Sequence, residues 1–157
     1  VQLSRYVTAL ANRGTVFELS LIDKVARSDG TLVEERVPEI SNQVDIADST
    51  WDAVQDGMRR VVTNSSANRI LRDLEVEIAG KTGTAQENTR ANHAFFISYG
   101  PYANPEISVT VNIPYGYSSA NAATIAKSVY RFYYGYTSLE DIIGAGALDA
   151  SNVIIGD

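Results

Sequence analysis

The stretch Ile78 to Gln86, IAGKTGTAQ, sets one lysine between two glycines in a run otherwise suited to a strand. Its reading decides the fold. A phosphate-cradling loop would need a glycine five residues before the Gly-Lys-Thr triplet and a helix directly after it, which would give an α/β unit. The earlier position holds Glu75, whose carboxylate repels phosphate, and Gly83 with the polar TAQENTR does not open a helix. The stretch therefore reads as a strand running from Val76 to Ala85.

Its neighbours extend that reading. HAFFISYGP is aromatic and strand-like and is stopped by Gly100-Pro101. In EISVTVNIP, Ile107, Val109, Val111 and Ile113 alternate with Ser108, Thr110 and Asn112, the period of a half-buried strand. SSANAATIAKSVYRFYYG then reads as a helix, with Ala122, Ile125, Val129, Phe132 and Tyr133 as its inward side. The expected class is α+β: a three-stranded antiparallel sheet with a C-terminal helix packed on it.

Upstream, QLSRYVTALANRG is helical, with Leu3, Tyr6, Val7 and Leu10 on one face and Gly14 as the terminating glycine. TVFELSLIDKV and LVEERV, joined through Asp29-Gly30, read as a β-hairpin. Pro38 to Ala47 reads as a surface loop. STWDAVQDGMRRVV begins like a capping box, Ser49 with Asp52, and carries an apolar stripe of Trp51, Val54, Met58, Val61 and Val62. TNSSAN breaks it, and RILRDL adds a short helical turn. No domain boundary precedes the tail, so 1–135 is one domain portion and 136–157 an acidic tail.

The chain has 157 residues, with 13 Lys+Arg against 19 Asp+Glu for a net charge of −6, and no basic block, which argues against a nucleic-acid partner. It has no cysteine and a single His93, so neither a metal nor another cofactor is expected. No apolar run approaches the ~20 residues of a membrane span. The first residue is Val1 and already lies in a helical pattern, so the chain is expected to be a piece of something longer.

GKTGTAQ followed by HAFFISYGP, preceded by WDAVQDGMRRVV and followed by IPYGYSSANAATIAKSVYRFYYG, closely resembles the C-terminal part of penicillin-binding protein transpeptidase domains. The likeness is strongest to the monofunctional, class B kind. QLSRYVTALANRGTVF resembles the helix and loop that follow the S-x-N element there, so the resemblance runs from Gln2 to Gly135. In that family K-T-G on a strand is the third element, beside S-x-x-K and S-x-N. Carried over, Lys81 and Thr84 are the catalytic candidates, and Thr82, Gly83 and Gln86 the substrate-binding ones.

The chemistry of these residues suits the roles. An edge strand accepts an extended peptide through main-chain hydrogen bonds, and Gly83 lets it come close. Lys81 offers a fixed charge and Thr82 a hydroxyl for one carboxylate, and the N–H of Thr84 is placed for an oxyanion. The resemblance implies a serine-type D,D-transpeptidase parent, held outside the bacterial cytoplasmic membrane by an N-terminal anchor. Its partners would be the D-Ala-D-Ala stem peptide of peptidoglycan, β-lactams and the remainder of the transpeptidase domain.

No serine here is followed by lysine in S-x-x-K, so the chain alone is expected to be inactive. Ser66-Ala67-Asn68 and Ser119-Ala120-Asn121 match S-x-N but lie away from the family's place for it, and NSSAN replaces the family's Gly-Thr-Ala turn. His93 is read as a local hydrogen-bonding group at a strand start rather than a catalyst, and the tyrosines of YRFYYGY as packing. The alternatives are a non-catalytic β-lactam- or peptide-binding sensor and a fragment of a serine β-lactamase or D,D-carboxypeptidase. An upstream S-x-x-K would exclude the sensor, and rapid deacylation of bound penicillin would favour the β-lactamase.

Overall fold

A computed structural model describes residues 1–146. Helix α1 (Gln2–Ala11) leads into strand β1 (Thr15–Phe17), then β2 (Lys24–Ala26), β3 (Leu32–Glu35) and β4 (Ile40–Gln43). Helices α2 (Asp48–Asn64) and α3 (Asn68–Leu71) follow. Strands β5 (Ala79–Ala85), β6 (His93–Gly100) and β7 (Ile107–Ile113) come next, then helices α4 (Ser119–Tyr133) and α5 (Leu139–Gly146). Part of the tail read from sequence is thus helical, and its remainder, 147–157, lies outside the described residues.

Strands β5, β6 and β7 form one antiparallel sheet in that order, so β6 is central. The pleat sends its side chains to two separate cores. Ala94 and Phe96 pack with Ile78, Val109, Val111 and α4, whereas Ile97 and Tyr99 pack with Val7, Leu10, Trp51 and Met58 from α1 and α2. The sheet is therefore covered by α4 on one face and by α1 and α2 on the other. Tyr99, Phe96 and Tyr130 are fully buried, and truncating a Phe of this kind to Ala costs ~3–5 kcal/mol.

The α1 turn closes on Gly14, at φ +99°, where a Cβ would sit 2.4 Å from the Val44 carbonyl oxygen and 2.8 Å from the Trp51 ring. Only glycine meets both conditions. Of the expected α1 stripe, Val7 and Leu10 are buried while Leu3 and Tyr6 stay exposed.

Four local expectations change. The hairpin about Asp29-Gly30 is the β2–β3 pair alone, while β1 pairs with β4, a strand inside the stretch expected to be a loop. The capping box does not form: the N-cap is Ala47, two residues before Ser49, with no side-chain cap bond. Asp52 instead takes the Arg13 guanidinium at 2.8 Å. Within the α2 stripe Trp51, Met58 and Val62 are buried, but Val54 is exposed. Finally, α4 buries Ala122, Ala123, Ala126 and Tyr130, leaving Ile125, Val129, Phe132 and Tyr133 exposed. The two faces lie about a quarter turn apart at 100° per residue. The small residues face the sheet because they let the helix backbone come close.

Candidate active site

Strand β5 is an edge strand, hydrogen-bonded to β6 on one side only among the described residues. The register sets Lys81 opposite Ile97, Thr82 opposite Phe96, Gly83 opposite Phe95, Thr84 opposite Ala94 and Ala85 opposite His93. Burial falls along the strand. Ala79 and Gly80 are buried, Thr82 and Gly83 half-buried, and Lys81, Thr84 and Ala85 exposed. The strand enters the sheet from the core and leaves it into solvent.

Arg59 fixes the entry. Its guanidinium donates to the Ile78 carbonyl at 2.9 Å and pairs with Glu77 at 2.7 Å, joining α2 to the strand. Sequence reasoning missed this residue, because an arginine on the polar side of an amphipathic helix carries no signal of its partner. Beyond it, Gly80 has no room for a side chain: a Cβ would lie 2.6 Å from the Phe96 ring and 2.9 Å from the Ile97 carbonyl oxygen.

The pleat then separates the motif residues. Lys81 and Gly83 share the face of Ala79, on the α1–α2 side, beyond the cover those helices give. Thr82 points to the α4 side, where it lines a cavity of about 260 Å³ with Ser66, Arg69, Ile70, Ser118 and Ala123. The Lys81 ammonium donates to the Thr82 carbonyl at 2.7 Å and forms no ion pair among the described residues. Gly83 would meet only the Phe95 Cβ, at 3.3 Å. Gln86 is exposed and opens the loop 86–92.

The two S-x-N matches are tied up in turns. Asn68 donates to the Val62 carbonyl at 3.2 Å and Asn121 to the Gly116 carbonyl at 2.9 Å. Ser118 caps α4 by accepting from the Ala120 N–H at 3.2 Å. His93 accepts the Tyr115 N–H at Nδ1, 3.1 Å away, and its Nε2 lies 3.8 Å from Glu87. The Tyr115 partnership was also missed from sequence, although Pro114-Tyr115-Gly116 signals a turn.

Tyrosines with displaced pKa values lie in the sheet core or at the α4 end, away from the motif. Burial pushes the Tyr99 hydroxyl up to about 12, and it raises that of Tyr130 further against the opposing pull of its Ser98 hydrogen bond. Both stay neutral at ordinary pH. What the described residues assemble at β5 is a lysine without an ion-pair partner among them, two threonine hydroxyls and an open strand edge.

A family model described as "Penicillin binding protein transpeptidase domain" matches residues 1–131. Penicillin-binding protein 2A of Bacillus subtilis (strain 168) is 30% identical over 161 residues, covering 90% of this chain and 22% of its own length. Peptidoglycan D,D-transpeptidase MrdA of Haemophilus influenzae is 31% identical over 156 residues, covering 85% and 23%. Among solved structures, penicillin-binding protein 2B of Streptococcus pneumoniae (strain R6) superposes with a TM-score of 0.75 at 25% identity, covering 88% of this chain and 25% of that one. Pseudomonas aeruginosa PBP2 in complex with WCK 5153 gives a TM-score of 0.69 at 31% identity, covering 84% and 29%. The chain thus spans under a quarter of the length of these two curated relatives. With its matching α+β architecture, it belongs to the penicillin-binding protein transpeptidase domains, of the class B-like kind.

Proposed function

We propose that this chain supplies the substrate-binding strand of a peptidoglycan D,D-transpeptidase. The observation that carries the reading is the outer half of β5: an unpaired edge bearing a lysine that has no ion-pair partner among the described residues and a glycine whose only close neighbour on the Cβ side is Phe95. A D-Ala-D-Ala stem peptide or a β-lactam adds along that edge through main-chain hydrogen bonds.

Lys81 and Thr82 leave opposite faces of the strand, so a carboxylate held by both sits at the edge itself, between the two side chains. Lys81 exchanges its intrastrand carbonyl for a carboxylate, so that both partners of the bond are charged. The Thr84 N–H stabilises the oxyanion that forms when a serine hydroxyl, contributed by sequence outside this chain, attacks the acyl carbonyl. Collapse of that intermediate breaks the D-Ala–D-Ala amide, and the leaving amine takes up a proton. A second amine then attacks the ester, releases the serine and completes the cross-link. With a β-lactam the ring amide opens and the leaving group stays attached, so the ester persists.

The parent protein acts outside the cytoplasmic membrane, where its substrate lies, tethered by an anchor outside this chain. Gln86 contacts the substrate beyond the strand end. In the complete protein, Lys81→Ala slows acylation by a fluorescent penicillin by at least ~10²-fold, the usual cost of losing one charge-stabilising group. Labelling at the wild-type rate would remove the basis of this reading.

A further inference from the structure

We infer that His93 is a positioning residue for the outer end of the motif strand, acting through Tyr115; the inference rests on the transpeptidase reading above. His93 opens β6 and pairs with Ala85, the last residue of β5, so it sits across from the junction between Thr84 and Gln86. Its ring packs on that of Tyr115 with centroids 4.9 Å apart, and its Nδ1 accepts the Tyr115 N–H at 3.1 Å. A neutral imidazole has one bare nitrogen, so this bond puts the ring proton on Nε2, on the side of Glu87.

Three further contacts converge on the same turn. Arg90, from the loop that leaves β5, donates to the Tyr115 hydroxyl at 2.6 Å, with its guanidinium 5.3 Å from the ring centroid. The Tyr117 N–H donates to the Asn92 carbonyl at 3.0 Å. Gly116 is wedged in place: a Cβ there would lie 2.8 Å from Ile113 Cβ and 2.9 Å from Ala94 Cβ. The turn needs this fastening. Tyr115 and Tyr117 both hold positive φ, +55° and +62°, which costs a non-glycine residue ~1–2 kcal/mol each.

The arrangement ties two loops into one body. The turn 114–118 starts α4, and the loop 86–92 carries Gln86 and follows directly on Ala85, one residue beyond Thr84. The His93 bond adds to these loop-to-loop contacts by fastening the turn to β6, and it depends on an acceptor at the Nδ1 position.

The test uses the complete protein and two variants. His93→Asn keeps an acceptor, Oδ1, at the position of Nδ1. His93→Gln reaches only the Nε2 position. Hydrogen exchange of the peptide containing Tyr115 reads the bond directly; penicillin acylation reads its effect. In His93→Asn, which keeps the acceptor, Tyr115 stays protected and acylation stays close to the wild-type rate. In His93→Gln Tyr115 is unprotected and acylation is ~10-fold slower or more, the order expected from displaced strand-end groups. The inference is overturned if His93→Asn loses protection and acylation as far as His93→Gln does, or if His93→Gln is protected and labels normally. A wild-type protein that penicillin does not label would instead overturn the transpeptidase reading, while exchange at Tyr115 would still decide the role of His93.

Discussion

The two ends of β5 use the same residue for opposite reasons. At the inner end Gly80 is hemmed in by the Phe96 ring and the Ile97 carbonyl, with Arg59 holding the chain just before it. At the outer end a Cβ on Gly83 would meet the Phe95 Cβ alone, at 3.3 Å, next to a lysine that the fold leaves exposed. One glycine is required by the protein's own packing and the other far less so; on the proposed function the second leaves room for the substrate. A motif written as Gly-Lys-Thr-Gly does not reveal this difference. It arises from what lies across each residue on β6 and on the flanking helices.

Stability measurements can break the comparison. Gly80→Ala forces a methyl against a ring and a backbone carbonyl, and only the ring can move. It is expected to cost ~2–3 kcal/mol, read as a lowered urea midpoint with unchanged slope. Tyr130→Phe, behind the same end, removes the hydroxyl that donates to Ser98 at 3.0 Å in the core. It is expected to cost ~1 kcal/mol. That cost is the same at pH 6 and pH 9, because burial keeps the hydroxyl neutral at both. Gly83→Ala moves stability by no more than ~0.5 kcal/mol yet slows penicillin acylation. If Gly80→Ala and Gly83→Ala destabilise equally, the two ends do not differ as described.

The smallest effect sharpens the comparison. Asp73, in the turn before β5, accepts from Lys127 of α4 at 2.7 Å, and this bond holds its carboxyl below the ordinary value of 3.8. A lowered carboxylate pKa contributes stability above the unfolded value, and the contribution is lost as pH falls through the folded one. Asp73→Asn is therefore slightly less stable than wild type at pH 6. The two converge on acidification below about 3.8, which paired thermal melts would show.

The sheet and its flanking helices were legible because β7 alternates cleanly and α2 and α4 carry helical periodicity. The motif's placement on a strand was legible from what a phosphate loop lacks. Three things were not. The α4 face was misjudged because its large residues form the more obvious stripe, whereas close approach to the sheet favours Ala122, Ala123 and Ala126. The capping box failed because Arg13, far away in sequence, draws in Asp48 and Asp52. Strand β4 was missed because Ile40 to Gln43 has little β character of its own and pairs through the distant Thr15 to Phe17. In the site, residue identities came from a local motif. The cavity beside Thr82 and the fastening at Tyr115 join segments tens of residues apart, and no local pattern encodes them.

The alanine face of α4 makes that helix a spacer of fixed thickness. Over its first two turns the helix puts no bulky side chain of its own against the sheet, so the gap there is set by methyl groups and cannot be retuned by a rotamer change, while the buried Tyr130 fills the far end. Ala123 lines the cavity that Thr82 shares, near the end of the helix that begins at the Tyr115 turn. One or two added carbons there would act as a shim under one end of a beam, tilting the helix and carrying the turn, His93 and the tip of β5 with it. Residues that never meet a ligand would in this way set the clearance at which one is held.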